Sequence, residues 1–223
     1  MYSYVANWQI PRSHWSEVAQ GAAAYKTVAD KALADGTIVG YGFDEAVVHT
    51  ADGDTHDDWW SSMSIAGLLK MRTQLFAAGT PTSPAMDAAT KHWDEILMSR
   101  YYNKKSGSYK NAYTWVAMYQ LKPDAGDDAV EMLSRNVIAP FLEKLFADGT
   151  ILEYEIDEQA VHSQAPGTFS VVWVSPTAEG VDKVNAALFE TVKAQPMIEP
   201  AFGSATKNSA HRDELLLSEG AYK

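Results

Sequence analysis

Not one of the 223 residues is a cysteine, which removes disulfides, thiolate nucleophiles and cysteine-ligated zinc from consideration. Basic side chains are also scarce. Eighteen Lys and Arg stand against twenty-nine Asp and Glu, a net charge of −11, so neither nucleic acid nor an anionic membrane is an expected partner. No apolar run reaches the ~18 residues that a membrane-spanning helix needs. The opening MYSYVANWQIPR lacks a charged segment followed by an apolar one, and a cytoplasmic location is the expectation. Phosphate-binding glycine loops, the G-x-S-x-G elbow and H-E-x-x-H are all missing, which argues against common nucleotide enzymes, serine hydrolases and zinc proteases.

What the chain has instead is aromatic residues and a repetition. Seven Trp, eleven Tyr and seven Phe suffice for a large core or an aromatic pocket. Residues Ala34–Thr50 (ADGTIVGYGFDEAVVHT) align without a gap on Ala147–Ser163 (ADGTILEYEIDEQAVHS) at an offset of 113, identical at ten of seventeen positions. Average composition would give about one.

Pattern reading along both copies predicts the same elements. Tyr2–Ile10 and Tyr113–Leu121 are aromatic, β-branched runs closed by proline, and they read as strands. A helix follows each, with Ser13 as the expected cap of the first and Asp124 or Asp127 opening the second. Pro140 should kink or split the second helix. Asp35-Gly36 and Asp148-Gly149 supply the left-handed residue that ends each. The repeated stretch is then a strand, followed by a third strand in which Trp60 pairs with Trp173. A second helix comes next, capped in the later copy by Ser175-Pro176. His92–Ser99 and His211–Ser218 read as short closing strands, and Asn103–Asn111 as a polar linker.

Strand, helix, strand, strand, helix, strand is the ferredoxin-like βαββαβ unit. One face of its sheet is left bare and must be covered. The sequence therefore resembles the dimeric α+β barrel superfamily, in which two such units join their sheets. The fold expected is α+β, two tandem ferredoxin-like units forming an intramolecular, pseudo-dimeric barrel. The first repeat would span 1–103, the linker 104–111 and the second repeat 112–223.

Candidate residues come from what the copies share and where they differ. His49 matches His162, and His92 matches His211; retention in both copies favours a structural imidazole over a catalytic one. Gly40 and Gly42 stand where the second copy has Glu153 and Glu155, on the face opposite the tyrosine-bearing one. That arrangement predicts a one-sided pocket with two carboxyls whose pKa values are raised by burial and mutual repulsion. Asn7, a methionine in the second copy, together with Trp60 is similar to the Asn and Trp of the antibiotic-biosynthesis monooxygenase group. Members of that group oxidise aromatic polyketides, or degrade haem, without a conventional redox cofactor. The resemblance implies that Asn7 polarises a substrate oxygen. The acidic run Asp52–Asp58 lacks the glycine and terminal glutamate of a calcium-binding loop and reads as a solvated hairpin turn.

Three readings follow. The first is a small-organic-molecule pocket lined by Tyr4, Trp8, Trp60, Trp115 and Tyr119, bordered by His49 and His162, with Glu153 and Glu155 as its polar contacts. The second is a cofactor-independent monooxygenase acting on an aromatic substrate; the third is a non-catalytic structural or assembly module. No metal or cofactor is expected. Oligomers are allowed but not required.

Overall fold

The computed structural model describes residues 1–80 and 82–223. Among the described residues there are eight strands: β1 (Tyr2–Gln9), β2 (Gly40–Ala46), β3 (His56–Ser62), β4 (Lys91–Lys104), β5 (Gly107–Gln120), β6 (Glu153–Gln159), β7 (Thr168–Ser175) and β8 (Arg212–Tyr222). Their hydrogen-bonding order is β1-β3-β2-β8-β5-β7-β6-β4, closed into an antiparallel barrel. The helices are α1 (Trp15–Asp35), α2 (Ile65–Ala77), α3 (Pro84–Asp87), α4 (Ala129–Leu133), α5 (Ala139–Ala147), α6 (Ala178–Ala194) and α7 (Ile198–Ala205). No helix among the described residues is long and apolar enough to cross a membrane.

The chain divides into two compact units. The first comprises Met1–Leu97, Ser106–Tyr109 and Leu216–Lys223, the second Met98–Lys105 and Lys110–Leu215. In the first, β3 lies between β1 and β2, and the end of β8 extends the sheet along β2, from Ala46 opposite Leu216 to Gly40 opposite Tyr222. Successive strand residues point to opposite faces. Tyr4, Ala6, Tyr41 and Trp60 therefore share the face covered by α1 and α2, where Tyr25, Ala29, Leu68 and Met71 complete the core. The second unit places β7 between β5 and β6 and buries Tyr154, Ile156, Phe169 and Trp173 against Leu142, Leu145 and Val184.

Gly36 ends α1 at φ 78°, and Gly149 follows α5 at φ 82°, the left-handed conformation that glycine adopts without a Cβ penalty. Ahead of Pro140 the helix widens into a π turn, Ser134–Ile138, and α5 restarts with the proline in its first turn, where no N–H is needed. The split is as expected, but the caps are not. The α1 helix starts at Trp15, after a 3₁₀ turn that contains Ser13, α4 starts behind Asp128, and Thr177 rather than Ser175 caps α6. The closing strands are also longer than expected, at fourteen residues for β4 and eleven for β8. Residues 104–111 are not a loop: only Lys105 and Ser106 separate β4 from β5. Lys104, Ser108 and Lys110, read as linker residues, are strand residues.

Candidate functional site

The strongest candidate is a cavity in the first unit, between α1, α3 and the helix-facing side of the sheet. Residues directly opposite in an antiparallel ladder share a face. The register places Trp8 across from His56, and Asp58 between Ala6 and Phe43. Trp8, Phe43, His56 and Asp58 line the cavity together with Tyr25 and Gly21 of α1 and Ala85 and Met86 of α3. Its volume is about 30 Å³, which is room for about one water molecule.

Two polar groups stand out in this apolar setting. Asp58 is 8% exposed, and the Trp8 indole Nε1 donates to its Oδ1 over 3.0 Å. Burial pushes its carboxyl up to about 7, against the pull of that hydrogen bond. His56 is 7% exposed, and burial, helped by His49, lowers its imidazole to about 4, so the ring is neutral at neutral pH. Its Nδ1 lies 3.0 Å from Thr55 Oγ1, and Trp15 meets the ring edge-on at 5.3 Å. Tyr25 donates its hydroxyl to the Trp59 carbonyl, which leaves its ring as the cavity wall. Sequence reasoning missed Asp58 and His56, because both sit in the acidic run read as a solvated turn. That run enters β3 at His56, and its last three residues are buried. A signal was available, since the offset of 113 pairs His56 with Phe169 and Asp58 with Val171. A polar residue aligned at that offset with an apolar one marks a buried polar group.

Of the sequence-derived aromatics, only Trp8 reaches this cavity. Tyr4 stacks on Trp60 at 4.2 Å, and the Trp60 indole donates to the Leu68 carbonyl, so both belong to the core. In the second unit Trp115 stacks on Trp173 at 5.7 Å, while Tyr119 packs on Phe169 at 5.2 Å and Phe202 at 5.5 Å. His49 and His162 are exposed in the loops after β2 and β6. His92 and His211 do the same work twice. Each places Nδ1 3.0 Å from a backbone carbonyl of the first strand of its unit, Asn7 or Met118, and stacks on the next residue, Trp8 or Tyr119.

Asn7 lies on the sheet face opposite Trp60, across from Asp57, with its Nδ2 3.5 Å from the Trp93 carbonyl. On that face Asp44 stands opposite Asp57, and both are buried. Burial raises Asp44 to about 6, and burial with the neighbouring Asp44 and Asp54 carries Asp57 well above the usual carboxylate range. Trp59 Nε1 donates to Asp44 Oδ2 at 3.0 Å. The space expected at Gly40 and Gly42 is filled from within the unit. A Cβ at Gly40 would run into the Tyr222 ring and one at Gly42 would lie 2.6 Å from the Trp59 ring, and those two rings stack at 5.5 Å.

In the second unit Glu153, Glu155 and Asp157 share one face of β6 and are all buried. Ser99 Oγ lies 3.0 Å from Glu155 Oε2 and 2.5 Å from Asp157 Oδ1. Burial and the neighbouring Glu155 raise Asp157 well above its ordinary range, against the pull of the Ser99 hydroxyl. Burial also raises Glu153 and lowers Lys104. Among the described residues, no group of three or more His, Asp or Glu is arranged to hold a metal ion.

No family model and no curated protein matches the sequence. Solved structures do. A protein of Lactobacillus acidophilus NCFM, provisionally named a monooxygenase, superposes with a TM-score of 0.71 at 10% identity, over 99% of this chain and 95% of its own. A second provisionally named monooxygenase, from Fusobacterium nucleatum, gives 0.67 at 10% identity over 100% and 94%. An anthrone oxidase-like protein gives 0.57 at 8% identity over 97% and 90%. At these identities the likeness is one of fold.

Proposed function

We propose that the chain is a duplicated α+β barrel enzyme of the cofactor-independent monooxygenase kind, with its site in the cavity of the first unit and Asp58 as proton acceptor. The observation that carries this reading is a buried carboxyl of pKa about 7 in a cavity walled by Trp8, Tyr25 and Phe43. Such a group takes a proton near neutral pH, where an ordinary aspartate is too weak a base. The reading of two tandem ferredoxin-like units is supported by the offset repeat and by the same order of elements in each half. Duplication also allows one copy to keep the chemistry while the other keeps the packing. At the equivalent place the second unit has Val171 and the stacked rings of Phe169 and Tyr119.

The chemistry that fits is loss of a proton from an acidic C–H or O–H of an electron-rich arene, followed by electron transfer from the resulting anion to dioxygen. For a ring methylene the balance is CH₂ + O₂ → C=O + H₂O, the substrate supplying the electrons for the second oxygen atom. The Trp8 N–H holds one carboxylate oxygen of Asp58, leaving the other for the proton. A ring is larger than the cavity as it stands, so entry requires its α3 side to yield, where Met86 is an unbranched, adaptable wall residue. The anthrone oxidase-like neighbour makes anthrone the first substrate to test.

Turnover of anthrone under oxygen, followed by absorbance, should rise with pH through about 7 and fall at least about 100-fold in Asp58→Asn, with anaerobic binding retained. Turnover that survives Asp58→Asn removes the base. The water-sized cavity favours a second reading, a structural module; failure of anthrones and naphthols to bind the wild type would establish it over the first.

A further inference from the structure

Beside Asp58 the cavity wall carries a second polar side chain to which the reaction above assigns no role. His56 and Asp58 are two residues apart on β3 and point to the same face, so their Cα atoms are separated by about 6.5–7 Å. Both line the cavity and both are buried. The His56 ring is fixed on one side only. Thr55 Oγ1 receives the Ile10 N–H at 2.9 Å and lies 3.0 Å from His56 Nδ1, while Trp15 closes on the ring edge. Nε2 has no hydrogen-bond partner among the described residues. A neutral imidazole with one engaged nitrogen offers a single donor or acceptor at the other, according to tautomer. A hydroxyl group satisfies either.

We infer that His56 is a specificity-determining residue, and that the cavity selects aromatic ligands bearing two hydroxyl groups on one edge, one meeting Asp58 and the other His56 Nε2. The inference rests on the cavity being a ligand site, as proposed above, but not on any turnover. It also accounts for the difference between the copies. Phe169 at the equivalent position removes the second polar contact, and Val171 removes the first.

The test is anaerobic binding of 1-naphthol and 1,3-dihydroxynaphthalene, measured by quenching of tryptophan fluorescence. The wild type should bind the diol about five- to tenfold more tightly, the worth of one added hydrogen bond. In His56→Phe, which copies the second unit, that preference should shrink to within about twofold, whatever the absolute affinities. His56→Gln retains a donor and an acceptor and should restore part of the preference, which separates lost selectivity from damaged folding. A preference equal in wild type and His56→Phe, or no preference in the wild type, overturns the role of His56 and leaves Asp58 untouched. If neither naphthol binds the wild type, the cavity is not a ligand site and both proposals fall.

Discussion

Asp58 and Asp44 show how one pair of strands gives two carboxyls different work. They lie on opposite faces of the β2–β3 ladder, Asp58 opposite Phe43 and Asp44 opposite Asp57. Asp58 has an aromatic partner and a cavity; Asp44 has a second carboxyl and the Trp59 indole. The second face is closed by rings that need the absence of a Cβ. At Gly42 an added Cβ would fall 2.6 Å from Trp59 Cζ2 and 2.8 Å from the Glu219 carbonyl oxygen, and the backbone atom cannot swing aside. Gly42→Ala should therefore destabilise the fold by about 1–3 kcal/mol and disturb Trp59 fluorescence, both readable in one denaturant titration. An unchanged midpoint would mean that the Trp59–Tyr222 stack adjusts freely.

At the scale of elements, periodicity and punctuation were legible and boundaries were not. The glycine stops after Asp35 and Asp148 and the break at Pro140 follow from backbone geometry, which sequence carries directly. The lengths of β4 and β8 do not. Lys104, Ser108 and Lys110 look like loop residues until a neighbouring strand pairs their backbone, and tertiary pairing overrides local propensity. The site was hidden for a related reason. The run Asp52–Asp58 is polar throughout, and only comparison with Phe169 and Val171 shows that its end is buried. Helix α2 is the simpler case. Ser64 accepts the Gly67 N–H as its cap, and Leu68, Met71 and Leu75 form one buried stripe. Leu68 is wholly buried beneath Trp60, whose indole hydrogen-bonds to the Leu68 carbonyl. Leu68→Ala should cost about 2–5 kcal/mol, seen as a lowered urea midpoint with an unchanged slope; a loss below about 1 kcal/mol would show that α2 is not a pillar of its core.

For the molecule as a whole, the buried carboxyls set how stability depends on pH. The formal charge of −11 counts every carboxylate as ionised, yet burial raises Asp44 to about 6, Asp58 to about 7, and Asp57, Glu153 and Asp157 well above their ordinary range. In the unfolded chain these groups ionise near pH 4. Between that pH and their folded values the native state holds protons that the unfolded state has released. Unfolding then frees protons, so stability falls as pH rises through the window, by up to about 1.4 kcal/mol per pH unit for each group that titrates. For Asp44 and Asp58 the decline runs from about pH 4 to about 6 and 7 and then levels. This is opposite to the acid lability of proteins whose aspartates are ion-paired. The urea midpoint should be higher at pH 5 than at pH 8, and Asp58→Asn, which leaves nothing to ionise, should flatten the upper end of the curve. A midpoint that rises from pH 5 to pH 8 would mean that the native state holds these carboxyls as anions, with counter-charges stronger than the burial that opposes them.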